Sequence, residues 1–288
     1  MEQVLTPTAA PAPSTERDQL AFGQVAYLIA IHLGAVAALW QHNWAAVGVA
    51  FVLYAVFGGL GICVGYHRLL THRSFKCPRS VEYLLAFLGS FCLEGKPVYW
   101  VAQHRQHHQF ADAPGDPHSA RDGFWWSHML WLARIPSPQA LEKLEKRYAP
   151  DLLRAPFYKW LDRLYVVPSV LLALALFRLG GWPFVVWGMC VRLVFCYHAT
   201  WFVNSASHRF GYRNFELNDL STNCWWVAMI AYGEGWHNNH HAFPTSARHG
   251  LRLWEIDLSY AFIRTLQALG LAWDVRTPSP DNLHFLAR

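Results

Sequence analysis

The chain has 288 residues, of which 53% are hydrophobic and only 15% charged, so it carries too few charges to clothe a globule in water. This composition excludes intrinsic disorder for the chain as a whole and points to a membrane protein. Fifteen Trp and sixteen His exceed ordinary usage, favouring a membrane interface and bound metal, while a net charge of +5 gives no support to a nucleic-acid partner.

Residues 1–20 are rich in Pro, Ala and Thr and read as a flexible tail without a signal peptide, which leaves residues 21–288 as a single membrane domain. Two apolar runs follow, approximately 24–40 and 44–66, joined by Gln41, His42 and Asn43. Each is long enough to cross roughly 30 Å of hydrocarbon, and so short a connection makes them a hairpin. A second hairpin is expected from spans at approximately 164–180 and 182–203, turning at Gly180 and Gly181. Between the hairpins, residues 67–163 are basic and rich in Pro. The stretch from Val81 to Cys92 is apolar but too short to cross, and is expected to form an interfacial or buried helix. Residues 204–288 are again polar and basic. Lys and Arg concentrate in these two segments, so the positive-inside rule places both segments and both termini in the cytoplasm. The expected fold is all-α: four transmembrane helices in two hairpins beneath a cytosolic helical cap formed by 67–163 and 204–288.

The six cysteines (Cys63, Cys77, Cys92, Cys190, Cys196 and Cys224) contain no C-x-x-C pair and read as reduced, which removes thiolate metal sites. Any metal is therefore held by nitrogen and oxygen. Three histidine clusters stand out: His67 with His72; His104, His107 and His108; and His237, His240 and His241. On a helix, H-x-x-H-H projects three imidazoles from one face. The spacing of five between His67 and His72 instead sets the rings roughly 140° apart on an ideal helix, so both serve one centre only if the helix ends between them or they approach different ions. Asn204 and His208, spaced by four directly after the last span, share a face, and Asn204 is suited to hold a metal-bound water. A set of neutral imidazoles this large exceeds what zinc needs and suits two irons. Glu94, Asp112, Asp116 and Glu234 are candidates to orient ring N–H groups. His118 is ambiguous; His32, His42 and His284 read as surface or interface residues, and His128, His198 and His249 as packing or supporting groups.

The phrases GYHRLLTHRSF (65–75), HRQHHQFADAPGDPHSARDGFWWSH (104–128), NSASHRFG (204–211) and GEGWHNNHHAFP (233–244) resemble the membrane fatty acyl desaturases, over about residues 20–260. The spacing of the first box is similar to the delta-9 type. The GDPHS phrase and short termini resemble acyl-lipid enzymes of cyanobacteria and plastids more than the stearoyl-CoA enzymes. The resemblance implies a non-haem diiron oxidoreductase that inserts a cis double bond, at delta-9, into a saturated C16 or C18 acyl chain, using O2 and two electrons. It implies metal ligation by His67, His72, His104, His107, His108, His208, His237, His240 and His241, and by Asn204 through water. It further implies a multi-pass protein of a bacterial, cyanobacterial-type inner or thylakoid membrane. Its electron donor would be a separate carrier, ferredoxin ahead of cytochrome b5, docking on a basic face that includes Arg121, Arg248 and Arg252. An acyl-CoA substrate, or a related diiron membrane hydroxylase, is the alternative reading. Gly58, Gly61 and Gly65 lie along one helix face and are candidates to line an acyl tunnel, the competing role being close helix packing.

Overall fold

The computed structural model describes residues 19–283. Residues 1–18 of the expected tail, and His284, lie outside them. Gln19–Leu20 (β1) pairs antiparallel with Arg134–Ile135 (β2), a short clasp between segments far apart in sequence. All other regular structure described is helical.

Helix α1 (Phe22–Val36) tightens into a 3-10 turn at Ala37–Trp40. Three residues later Asn43 starts α2 (Trp44–Tyr54), its side chain accepting from the Ala46 N–H at 3.1 Å. This cap satisfies one of the amides that a helix start leaves orphaned. From Ala55 to Thr71 the helix widens into π geometry. Next come α3 (Arg79–Ser90), α4 (Pro97–Phe110), α5 (Phe124–His128), α6 (Pro138–Tyr148), α7 (Pro150–Leu153) and α8 (Pro156–Arg163). Four of these helices begin on Pro, whose missing N–H costs nothing in the first turn. Helix α9 (Val167–Val185) continues through a π segment (Val186–Val191) into α10 (Arg192–Ser205). The chain then adds α11 (Trp225–Ile230), α12 (His237–Ala242), α13 (Leu258–Ala268) and α14 (Pro280–Leu283).

Among the described residues, three helical stretches are long and apolar enough to cross a membrane: Phe22–Trp40, Trp44–Thr71 and Val167–His208. The spans expected at 164–180 and 182–203 are thus limbs of one helical stretch. It breaks where Gly180 (φ −155°, ψ 17°) and Gly181 (φ 66°, ψ −155°) leave helical geometry, the latter in a region that side chains disfavour. The limbs fold against each other: Leu176 is buried with Met189 and Leu193, and a methyl group on Gly188 would lie 2.7 Å from Leu176. Ile29, Leu33, Phe51, Leu171, Leu174 and Leu179 remain exposed on these helices, which is tolerable only where lipid replaces water.

The short apolar stretch at 81–92 forms most of α3, which packs along the π-helical part of α2. Methyl groups on Gly61 and Gly65 would meet the α3 backbone at 2.4 Å (Gly89 N) and 2.9 Å (Leu85 O). These glycines let two backbones touch and do not line a tunnel. Gly58 lies against the Tyr54 ring and Cys196. Close helix packing is thus the role seen for Gly61 and Gly65. Buried Arg192 donates to Gly188 O (2.7 Å), one turn back in its own helical stretch, and to Phe91 O (3.1 Å) at the end of α3, with its guanidinium over the Phe57 ring.

Candidate metal centre

The π geometry resolves the awkward spacing of the first histidine pair. The His72 N–H donates to the His67 carbonyl at 3.1 Å, an i to i+5 bond that stacks one residue over the other. Their Nε2 atoms lie 3.2 Å apart, so both rings reach one point without the helix having to end between them. Helix α4 adds His104, His107 and His108, and α12 adds His237, His240 and His241. His208 comes from the 3-10 turn that ends α10.

The nine imidazoles divide into two groups. In His67, His72, His104, His108 and His240 the ring nitrogens lie within 4.8 Å of one another; His107, His208, His237 and His241 form the second such group. Within the first, His104 Nε2 and His240 Nε2 stand 3.1 Å and 3.0 Å from His108 Nε2. The i, i+3 and i+4 spacings divide each triplet between the groups: from α4, His104 and His108 join one and His107 the other. From α12, His240 faces the first group, and His237 and His241 the second.

Carboxylates grip the outer nitrogens. His67 and His249 both face Glu234 Oε2 through Nδ1, at 2.7 Å and 3.0 Å. His208 Nδ1 donates to Asp112 (2.7 Å), His107 Nδ1 to Asp116 (3.0 Å) and His241 Nδ1 to Asp219 (2.9 Å). These bonds place the proton on Nδ1 and leave Nε2 as a free lone pair, the tautomer a metal requires. His208 Nε2, His241 Nε2 and both nitrogens of His237 are buried without a hydrogen-bond partner. Buried polar atoms this numerous and convergent fit an electrophile, and the nitrogen-rich donor set fits iron.

The electrostatics agree. Burial, reinforced by neighbouring imidazoles, holds His72, His104, His108, His237 and His240 far below the ordinary histidine range, so the rings stay neutral. Burial pulls His107 down as well, but Asp116 outweighs it and raises the ring above its usual value. Glu234 would be pushed up by burial, yet Arg68, then His67 and His249, hold it well below the normal carboxylate range. Arg68 is itself fully buried, bonding Glu234 Oε1 at 3.0 Å, Asp257 at 2.9 Å and the Ala247 carbonyl at 2.7 Å.

Beside the first group opens a cavity of about 470 Å³, mostly apolar, with Tyr27, Leu28, Ile62, Cys63, Tyr197 and Trp201 among its walls and His67 and His104 at its edge. Asn204 also lines it. Glu94, expected to hold a ring N–H, lies instead in this wall. It accepts from Thr200 Oγ1 (3.0 Å) and Trp100 Nε1 (3.4 Å), and burial pushes its carboxyl up to about 7. Trp100 in turn stacks on the His104 ring, with centroids 5.2 Å apart. Glu94 thus reaches the centre only through an indole.

The sequence profile of the family described as fatty acid desaturase matches residues 42–259. The chain belongs to the fatty acid desaturase family. It is 48% identical over 266 residues to the sn-2 palmitoyl-lipid 9-desaturase of Nostoc sp. (strain 36), covering 92% of this chain and 93% of that one. It is 47% identical over 265 residues to the sn-1 stearoyl-lipid 9-desaturase of Anabaena variabilis, covering 91% and 96%. It is 48% identical over 250 residues to the acyl-CoA 5-desaturase AL21 of Anemone leveillei, covering 86% and 77%. The protein is thus a membrane oxidoreductase of lipid metabolism.

Two supporting residues of this desaturase escape sequence reasoning as specific contacts. Asp219 is far from any histidine box in sequence, and only folding brings it to His241. His249, read from sequence as a packing or supporting group, shares Glu234 with His67 and packs 4.4 Å from the His240 ring. His118 stacks on His107 at 4.4 Å with its Nδ1 3.8 Å from Asp116. Of the arginines expected to form a docking face, exposed Arg121 donates to the Asp112 carbonyl, and half-buried Arg248 and Arg252 donate to the Gly250 carbonyl and to Asn214.

Proposed function

We propose that this family member is an acyl-lipid delta-9 desaturase that introduces a cis double bond into a saturated C16 or C18 chain. The observation that carries this reading is the adjacency of two imidazole groups to an apolar cavity whose wall includes two of those imidazoles, His67 and His104. His67, His72, His104, His108 and His240 would hold one iron, and His107, His208, His237 and His241 the other, with Asn204 acting through water. Such a metal pair, when bound, supplies the power to oxidise an unactivated methylene with O2, which no acid or base of the chain can do. The chain's own work is positional. Glu234, Asp112, Asp116 and Asp219 fix the imidazole tautomers, and the cavity wall excludes water and presents one segment of the acyl chain. The acyl-lipid and delta-9 assignments draw on the cyanobacterial relatives, which are lipid 9-desaturases.

In this reading residues 21–288 form one domain with four spans, the two limbs of 164–203 crossing as a hairpin about Gly180–Gly181. The cap and both termini then face the cytoplasm of a bacterial membrane, and a soluble carrier, ferredoxin in preference to cytochrome b5, delivers the electrons. The test is expression in a host lacking the activity, with double-bond location in each lipid class and iron content of the purified protein. Wild type should carry two irons and form a delta-9 alkene first in glycerolipid. His107→Ala should lose both iron and product. Full activity in that variant would reject the assignment, and an alcohol product would indicate a hydroxylase.

A further inference from the structure

The geometry points to a binding site for the phosphate of an anionic glycerophospholipid headgroup, in a basic pocket that adjoins the acyl cavity. This inference rests on the acyl-lipid reading and names its substrate class. The pocket, about 630 Å³ and open to the surface, is lined by Lys96, Lys159, Asp162 and Arg163 together with residues 164–167. It is formed where α8 gives way to the start of α9, against the N-terminus of α4. Lys96, Tyr165 and Val166 line both this pocket and the acyl cavity, so the two spaces share a wall. Exposed Val166 and Val167 mark the level at which the chain enters the apolar span.

A lipid whose acyl tail lies in the cavity and whose ester passes the shared wall at Lys96, Tyr165 and Val166 would set its headgroup in this pocket. There it meets three exposed cations. Among the described residues no ion pair engages Lys96, Lys159 or Arg163. The opposing acids are Asp162, in the pocket, and Glu145, close enough to influence both Asp162 and Lys96. Burial, with Glu145, pushes Asp162 up to about 7, so it offsets the cations only in part near neutrality. Lysines and an arginine around one concave surface suit a phosphate better than an uncharged sugar, because a galactosyl group offers hydroxyls but no charge to neutralise. The phosphate of an acyl-CoA shares this chemistry, and the experiment separates the two sources.

The purified full-length chain is titrated in detergent with phosphatidylglycerol, with monogalactosyldiacylglycerol and with stearoyl-CoA, and binding is read by native mass spectrometry. Wild type is compared with Lys159→Ala/Arg163→Ala and with the charge-preserving Lys159→Arg, iron content serving as the control for folding. Phosphatidylglycerol should bind more tightly than the galactolipid. The double variant should lose about tenfold in that affinity at unchanged iron content, and Lys159→Arg should keep it. Equal affinity in the double variant, or tighter galactolipid binding in wild type, would overturn the proposal. Stearoyl-CoA showing the charge-dependent binding in place of phosphatidylglycerol would overturn the glycerophospholipid occupant, and acyl-CoA desaturated before any glycerolipid would overturn the acyl-lipid reading with it. Charge-dependent phosphatidylglycerol binding by a protein that desaturates no lipid would leave the pocket standing and remove the proposed activity alone.

Discussion

Asp219 shows how much of the centre depends on groups that touch no substrate. Its carboxylate is the partner of His241 Nδ1 and also accepts from the Ser221 N–H at 2.9 Å, which fixes its own orientation. Asp219→Ala should therefore lower iron affinity on the order of 10- to 100-fold, measured by chelator competition, with the helical content unchanged. Glu94 makes a different prediction. Its carboxyl is raised to about 7 from an ordinary 4.5, so the folded protein favours the protonated form. That contribution is complete below about pH 4.5 and is lost as pH rises through about 7, amounting to up to about 3 kcal/mol. Thermal midpoints in detergent should fall over that interval in wild type and fall less steeply in Glu94→Gln, where Asp162 alone of the two carboxyls raised to about 7 remains. The histidines were legible because their spacing is local and their number improbable for surface groups. The role of Glu94 was not, since closeness in sequence to His104 says nothing about which way a loop carboxylate points.

Among the helices, the π-helical part of α2 has the largest consequence. It aligns His67 with His72, which α-helical geometry would splay apart, and it carries Gly61 and Gly65 against α3. Filling either glycine should act on folding: Gly61→Leu drives atoms into the α3 backbone, costing about 1–3 kcal/mol or more, and should lower folded yield rather than shift chain length. The residues to enlarge for chain-length control are Ile62 and Cys63, which do face the cavity. Ile62→Phe should move product toward shorter acyl chains at near-normal protein level, scored by gas chromatography of total fatty acids. A second polar seam joins α1, α5 and α10. His32 Nε2 lies 3.2 Å from His198 Nε2, His198 Nδ1 lies 3.0 Å from His128 Nε2, and His128 Nδ1 lies 2.9 Å from Ser205. These histidines, read as packing or surface groups, form a chain that ties three helices together beside Trp201.

Across the described residues, the apolar helices carry much of the exposed hydrophobic surface, and the nine histidines of the two groups gather beyond one end of them. A cysteine-free variant with single cysteines at 42, 96 or 180 tests the proposed topology: positions 42 and 180 should react with an impermeant thiol reagent added to spheroplasts, and position 96 only after lysis. Reaction at 96 in intact cells would invert the orientation. The same arrangement explains why so few charges suffice, since most of them lie outside the apolar helices and the helices between Phe22 and Thr71 hold only Arg68, which is buried in an ion-pair network.

Composition and linear spacing were enough to read a mostly helical membrane protein, its histidine ligand candidates and its resemblance to the desaturases. Each of these depends on residue type and on separations of a few positions along one helix. What the folded arrangement added depends on residues distant in the chain: the division of nine imidazoles into two groups, Asp219 on His241, Arg68 behind Glu234, and a basic pocket sharing a wall with an apolar cavity. Even the alignment of His67 with His72 belongs to this second class. The extra residue per turn that aligns them lies in a helix packed against α3 through glycine, and neither the widened turn nor that contact is encoded in the five-residue spacing.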